Sequence, residues 1–365
     1  MTRLITVSKS LLLLFCVLVP AGANCAQTTT HTDLRHAGLV EYRAGHYERA
    51  ETLLLSALKL AQQSNDEYEV AATYDDLGAV YRYEERLTEA EQYFEKALFL
   101  FKRMPDTTDE TTLVLYNLAG VYSLNGRDSA ALKTLRQALK LLKRNTASEQ
   151  ALAAQILNAF GMVYLRQGNL SRAEKLFVQA MATRSALRTE PIDVDAQILN
   201  NLGIVYKKQH KYSESEESFK RSLEIETRVL GSQHPELTIP LANLGSLYTE
   251  MQRFTEAGVQ YRRSLDILEK TTPVPHGRIV ETLRTLAQVY LRAGDTTSAE
   301  STLAEAVQIA RRNPSPDLKM PTLLDAYADI LRSLGKLNEA QLLHAEARFM
   351  RATETMTVRV PKPNH

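Results

Sequence analysis

The strongest constraint on this chain is one five-residue pattern that returns at an almost constant interval. Leu77-Gly78-x-x-Tyr81, Phe160-Gly161-x-x-Tyr164, Leu202-Gly203-x-x-Tyr206 and Leu244-Gly245-x-x-Tyr248 align with one another. With the glycine slot as position 8, units start at His31, Ala71, Thr112, Ala154, Ala196, Thr238, Val280 and Pro321, at intervals of 40, 41, 42, 42, 42, 42 and 41 residues. A period in this range belongs to stacked arrays, in which each supersecondary unit buries its apolar face only against its neighbours. Eight units fill nearly all of the sequence after residue 26, leaving no stretch for another domain. Composition agrees: 44% hydrophobic residues with 7% aromatic, 15 Gly, 12 Pro and no Trp describe a helix-rich chain and disfavour a β-sandwich or a Gly-rich α/β enzyme.

Each slot has a physical reason. Position 8 carries Gly38, Gly78, Ala119, Gly161, Gly203, Gly245, Ala287 and Ala328; glycine inside a helix costs roughly 1 kcal/mol against alanine, which only close helix contact justifies. Position 20 is small throughout, from Ala50 to Ala340, and tyrosines such as Tyr81, Tyr164 and Tyr248 at position 11 are expected to fill the remaining volume. Gly45, Gly126, Gly168, Gly294 and Gly335 at position 15 suit a left-handed residue that ends a first helix. Capping boxes are expected to open the second helices: Thr88 with Glu91, Ser171 with Glu174, Ser213 with Glu216, Thr297 with Glu300, and Asn338 with Gln341. Pro105, Pro191, Pro235, Pro275 and Pro316, or caps such as Ser64 with Glu67, are expected to open the first helices.

The pattern Leu-Gly-x-x-Tyr, Gly-x-Tyr, Ala, aromatic, Ala resembles the tetratricopeptide repeat. The 42-residue period, with His234-Pro235-Glu236 ahead of Leu244-Gly245, resembles the long-helix variety typified by kinesin light chains. The resemblance implies an all-α fold, a right-handed α–α solenoid of eight helical hairpins over residues 31–354, followed by a short tail at 355–365. It departs from the family pattern in lacking a Trp at position 4, and in Glu41, Leu331 and His344 at slots otherwise aromatic or apolar. The last three fall in the terminal units, where a stacked array must show water a polar face.

The first 26 residues read as an export signal. Arg3 and Lys9 precede an apolar run from Leu11 to Val19, and Pro20 leads into Ala21-Gly22-Ala23, with cleavage expected after Ala23 or Ala26 and a flexible leader at 27–30. Nine apolar residues are too few to cross a bilayer, which takes roughly 20. The expected location is therefore the periplasm or the exterior of a bacterial cell. Cys16 and Cys25 both lie in or beside this segment, so the repeats contain no cysteine. Lipidation of Cys25 is the weaker alternative, because Gly22 and Asn24 stand where a lipobox wants an aliphatic and a small residue.

With 44 basic and 43 acidic residues, no net field draws the chain toward nucleic acid or an anionic membrane. The resemblance implies that first helices form a concave groove for an extended or helical segment of a partner protein, through positions 2, 5, 6, 9 and 12. Asn117, Asn158, Asn200, Asn201 and Asn243 stand at positions 5 or 6, where an amide can donate to and accept from peptide backbone. Arg166, Lys207, Lys208, Arg284 and Arg292 cluster toward the middle and later units and favour a segment carrying Asp, Glu or a free carboxylate. Arg35 is followed by Leu39 and Arg284 by Gln288, so the carboxylate clamp of chaperone-binding relatives is missing as a motif.

Catalysis finds little footing: the eight His are scattered, and neither a His-Glu-x-x-His pair, a nucleophile elbow nor a phosphate loop occurs. No catalytic, metal or cofactor residues are expected. The function expected is that of a non-catalytic, exported interaction scaffold. Two alternatives stay open: a lipid-anchored component of envelope assembly, and a regulatory subunit that serves an enzyme in trans.

Overall fold

The computed structural model describes residues 30–143, 146–187, 189, 192–315 and 318–357. The expected export signal, Cys25, most of the leader, Pro191, Pro316 and the tail from 358 lie outside the described residues. Among the described residues sixteen α-helices follow one another in antiparallel pairs: α1(His31–Arg43) with α2(Tyr47–Gln63), α3(Glu67–Tyr83) with α4(Leu87–Phe101), α5(Thr108–Leu124) with α6(Asp128–Leu141), and α7(Ala147–Arg166) with α8(Leu170–Ala186). The second half pairs α9(Asp193–Lys208) with α10(Tyr212–Leu230), α11(Thr238–Glu250) with α12(Phe254–Lys270), α13(His276–Arg292) with α14(Thr296–Arg312), and α15(Met320–Ser333) with α16(Leu337–Thr357). Each pair packs most heavily on itself and then on the next, which is the all-α solenoid the period implies.

Inside each hairpin the glycine of the first helix faces position 24 of the second. A Cβ added at Gly203 would lie 2.5 Å from the Phe219 ring; at Gly78 it would meet Phe94 at 2.8 Å, and at Gly245 Tyr261 at 2.7 Å. The ring of position 24 lies over the glycine, and the position-11 tyrosines Tyr81 and Tyr248 are buried in the same cores. The sequence compensates within itself: Ala119 and Ala287 carry the extra methyl, and their position-24 residues are the smaller Leu135 and Leu303. Position 15 is left-handed in every hairpin, with φ of 79° at Gly45 and 75° at Gly168, and equally with Glu85, His210 and Gln252, at φ of 60°, 60° and 58°.

The second helices do not begin as expected. They start two residues earlier than those caps would set, at Leu87, Leu170, Tyr212, Thr296 and Leu337, so Thr88, Ser171, Ser213, Thr297 and Asn338 fall inside the first turn. The glutamates meant to complete the capping boxes, and Glu51 at the same slot of the first hairpin, point across to the next hairpin. Glu51 accepts from Arg86 at 3.2 Å, Glu91 from Arg127 at 2.7 Å, Glu174 from Lys211 at 3.2 Å, Glu216 from Arg253 at 2.6 Å and Glu300 from Lys336 at 2.5 Å. Most of these cations also lie over the tyrosine of their own first helix, Arg86 over Tyr81 at 4.2 Å and Arg253 over Tyr248 at 4.4 Å. Where the acid is replaced, by Leu132 and Gly258, the facing residues are Asn169 and Asp295, and these turn back to cap their own helices by accepting from the N–H of Arg172 and Ser298. Burial would raise the Glu216 carboxyl, but bonds from Arg253, Lys220 and Tyr248 outweigh it and hold the group at about 2.

The first helices open as expected at Pro235 and Pro275 and differently at Ser64 and Pro105. Ser64 closes α2, and Asp66 caps α3 by accepting from the Glu69 N–H. Pro105 precedes the start of α5 by three residues, Pro235 opens a single 3-10 turn ahead of α11, and Pro275 stands immediately before α13.

Two polar groups interrupt the apolar junctions on either side of the fifth hairpin. Arg184 and Asp195 form a buried two-pronged pair, at 3.1 and 3.0 Å. At the next junction Glu226 is only 7% exposed, and its Oε2 has no hydrogen-bond partner. Burial, with the charges of Asp193 and Glu236 nearby, pushes this carboxyl up to about 7.

Gly203→Ala should lower stability by about 1–3 kcal/mol in denaturant unfolding, and Phe219→Leu should restore part of the loss, as the natural Ala119–Leu135 pair does. Gly258→Ala, whose Cβ would meet nothing nearer than Arg262 at 3.5 Å, should be neutral or stabilising. For Glu226 the folded state holds its proton to higher pH than the unfolded chain, so stability falls as pH rises from the ordinary 4.5 to about 7 and stays lowered above it. Glu226→Gln should therefore gain about 1–2 kcal/mol at pH 8 and nothing near pH 4, measured by unfolding at both.

Candidate functional site

From α1 through α11, each first helix touches the next first helix, and among the described residues no pair of second helices does so to the same extent. The first helices therefore line the tighter, inner side of the array and the second helices its outer side. Positions 2, 5, 9 and 12 share one helical face, since they recur at three, four and seven residues. That face looks onto the inner surface.

The asparagines expected to read a partner's backbone stand in a ladder that runs from hairpin to hairpin. Asn201 donates through Nδ2 to Asn158 Oδ1 at 3.0 Å, Asn243 to Asn200 Oδ1 at 2.7 Å, and Asn117 to Asp75 Oδ1 at 3.1 Å. Arg35 adds a charged rung to Asp76 at 2.6 Å. Each rung joins position 5 of one repeat to position 6 of the next. Asn158 and Asn201 are buried, whereas Asn117, Asn200 and Asn243 are partly open. Burial pushes the Asp75 carboxyl up to about 6 against the lowering effect of the Asn117 bond.

The five expected cations divide. Arg166 donates to Ser123 at 2.8 Å and pairs with Asp128, and Lys207 bonds Ser246 at 2.8 Å and Glu250 at 3.1 Å. Arg284 is held by Glu281 within its own helix. Lys208 has neither ion pair nor hydrogen bond among the described residues, and Arg292 lies over the Phe254 ring at 5.7 Å without a carboxylate partner.

Beside them runs an apolar band that the sequence reading passed over. Leu113 and Ile239 at position 2, Met162 at position 9 and Leu291 at position 12 are all exposed, on four different first helices. Leu113 and Ile239 stand at a slot that holds Thr32, Gln155, Gln197, Glu281 or Thr322 in other repeats, a signal that would have revealed them; Met162 and Leu291 stand at slots that also hold Ile204 and Leu165, and carry no such signal. Toward the first hairpins Tyr42, Tyr47 and Tyr83 form a cluster with ring centroids 5.4–6.0 Å apart, and Arg82 sits 5.4 Å above Tyr83. Among the described residues no group of three His, Cys, Asp or Glu is arranged to hold a metal ion, and no helix is long and apolar enough to cross a membrane.

A family model described as Tetratricopeptide repeat matches residues 29–103, 110–186, 194–270 and 278–351, two hairpins to each match. No curated protein matches the chain. Among solved structures the chain is similar to BtubC (BKLC) from P. vanneervenii, with 24% identity over 64% of this chain and 93% of that one and a TM-score of 0.56. It is also similar to the apo form of the quorum sensor NprR from B. thuringiensis, with 16% identity over 88% of each chain and a TM-score of 0.59. A third likeness is to PilW, a widely conserved type IV pilus biogenesis factor, with 19% identity over 68% of this chain and 97% of that one and a TM-score of 0.51. At these identities the likeness shows the fold.

The ladder predicts unequal costs along the same face. Asn201→Ala leaves the Asn158 amide oxygen buried without its donor and should cost about 1–3 kcal/mol in thermal or denaturant unfolding, whereas Asn243→Ala, where water reaches the vacated group, should cost less than about 1 kcal/mol.

Proposed function

The chain belongs to the tetratricopeptide repeat family, and on that premise we propose that it is an exported, non-catalytic scaffold whose inner face holds an extended or helical segment of a partner protein. The observation that carries this reading is the exposed band of Leu113, Met162, Ile239 and Leu291. Scattered apolar side chains are normal on a protein surface, but four of them on the inner face of the third, fourth, sixth and seventh hairpins offer anchor points for a single bound segment. Lys208 and Arg292, free of carboxylate partners, flank the later part of the row and favour acidic residues in that segment. Asn200 and Asn243 retain donor and acceptor capacity beyond their mutual bond and suit contact with the segment's backbone, while Asn158 and Asn201 hold the hairpins in register. Export rests on the positive, apolar and small-residue pattern of residues 1–26.

The test is photo-crosslinking in the native cell with the crosslinker at Met162 or Ile239, read by mass spectrometry beside a crosslinker at the outer residue Lys175. One protein joined from both inner positions and absent from the outer one supports the reading. It should be lost by roughly tenfold in a Met162→Lys, Ile239→Glu variant of unchanged helical content. Equal joining from inner and outer positions overturns it. The intact mass of the recovered chain decides export: a start at residue 24 or 27 supports it, a retained Met1 refutes it, and a large addition on Cys25 favours the lipid-anchored alternative.

A further inference from the structure

A second surface, on the outer side of the array, differs in character from everything on the inner face. Between α4 and α6 lies a groove of about 440 Å³ whose floor is apolar, formed by Leu98, Leu115, Leu118 and Tyr122. It is open because the third hairpin presents Ala130 and Thr134 on its α6 wall, at slots where the next hairpin carries Arg172 and Leu176. Phe99, 61% exposed, stands on the opposite rim.

The rim is cationic. Lys133, Arg136 and Lys140 recur at three and seven residues along the outer stripe of α6, Lys143 follows, and Lys102 faces them from the end of α4. None of these five has a carboxylate partner among the described residues. The acid of α6, Asp128, is taken by Arg166 and Gln167, which leaves Glu95 as the one acid lining the groove. On other second helices some cations are neutralised within their own helix, as in Lys220–Glu216 and Lys270–Asp266. What sets α6 apart is that three unpaired cations share one stripe beside an apolar trough, in a chain of 44 basic and 43 acidic residues.

We infer that the α4–α6 groove is a second docking site, for an acidic amphipathic protein segment whose apolar side chains enter the trough while its Asp or Glu residues meet Lys102, Lys133, Arg136 and Lys140. Charge complementarity selects the sign of the partner and apolar burial supplies the affinity. A protein segment is favoured over an anionic bilayer because the apolar groups lie recessed between two helices, where a side chain can enter and a flat lipid surface cannot. The trough is lined by Glu95–Lys102 of one wall and Ala130–Gln137 of the other, a length of about 12 Å that suits two to three helical turns.

The probe is a fluorescein-labelled peptide of 16 residues with Leu at helical spacing and Glu elsewhere, titrated into the full chain by anisotropy. Vesicles of phosphatidylglycerol and phosphatidylcholine are titrated in parallel. Peptide binding that weakens with salt and falls at least about tenfold in Lys133→Glu, Lys140→Glu supports the site. So does a similar loss in Gln137→Trp, which obstructs the trough without changing charge at an exposed position. Lys208→Glu, on the inner face, should leave this binding unchanged, which separates failure of this site from failure of the inner groove. Equal affinity for all variants, or no binding of the peptide, overturns the inference. Vesicle binding lost on charge reversal while the peptide is ignored would assign the surface to a membrane instead. Melting curves of each variant establish that the altered chains are folded.

Discussion

A missing Cβ at position 8 lets the position-24 ring of the second helix lie directly against the backbone of the first, and the rest of the array rests on that closeness. Gly78 with Phe94, Gly203 with Phe219 and Gly245 with Tyr261 are versions of one contact, and Ala119 with Leu135 conserves the same volume by another division. Because the hairpins share one internal spacing, their outer surfaces can repeat and stack. A hairpin of different thickness would tilt its neighbours and break the alignment of every group that bridges them.

What bridges them is polar and modest in energy. The pairs from Glu51–Arg86 to Glu300–Lys336 are partly exposed, and such pairs contribute between 0 and about 1 kcal/mol each. Their effect is on order more than on stability. Leu132 meets Asn169 and Gly258 meets Asp295, so a hairpin that offers no acid is followed by one that presents no cation. Exchanging hairpins would set Asp295 against a glutamate or strand an arginine, and the ladder of Asn158–Asn201 and Asn200–Asn243 adds a second match on the inner side. Apolar stacking holds the array together, and the polar rungs specify which neighbour belongs where.

The two candidate binding surfaces are places where several unmatched groups fall together. On the inner side, Leu113, Met162, Ile239 and Leu291 are large, apolar and uncovered, beside a lysine that no carboxylate neutralises. On the outer side, α6 carries three exposed cations along one stripe with no acid to meet them. In a chain of balanced charge, groups left unmatched by their own neighbours are the natural points of contact for a partner.

The period, the hairpin, the glycine slot and the left-handed turn were legible in the amino-acid sequence, because each is governed by residues within a few positions of one another or by a repeat written eight times. The left-handed slot extends even to Glu85, His210 and Gln252, where no glycine announces it. The starts of the second helices were misread, since Thr88 with Glu91 satisfies the local rule for a capping box equally well. Only the stacked structure supplies a competing partner, Arg127, 36 residues away. The asparagines were legible as a feature of the inner face but not as a ladder, since their bonds span 42 or 43 residues. Local backbone preference is encoded along the chain, whereas the choice of a polar side chain between its own helix and the next hairpin is decided by distances that exist only once the hairpins have stacked.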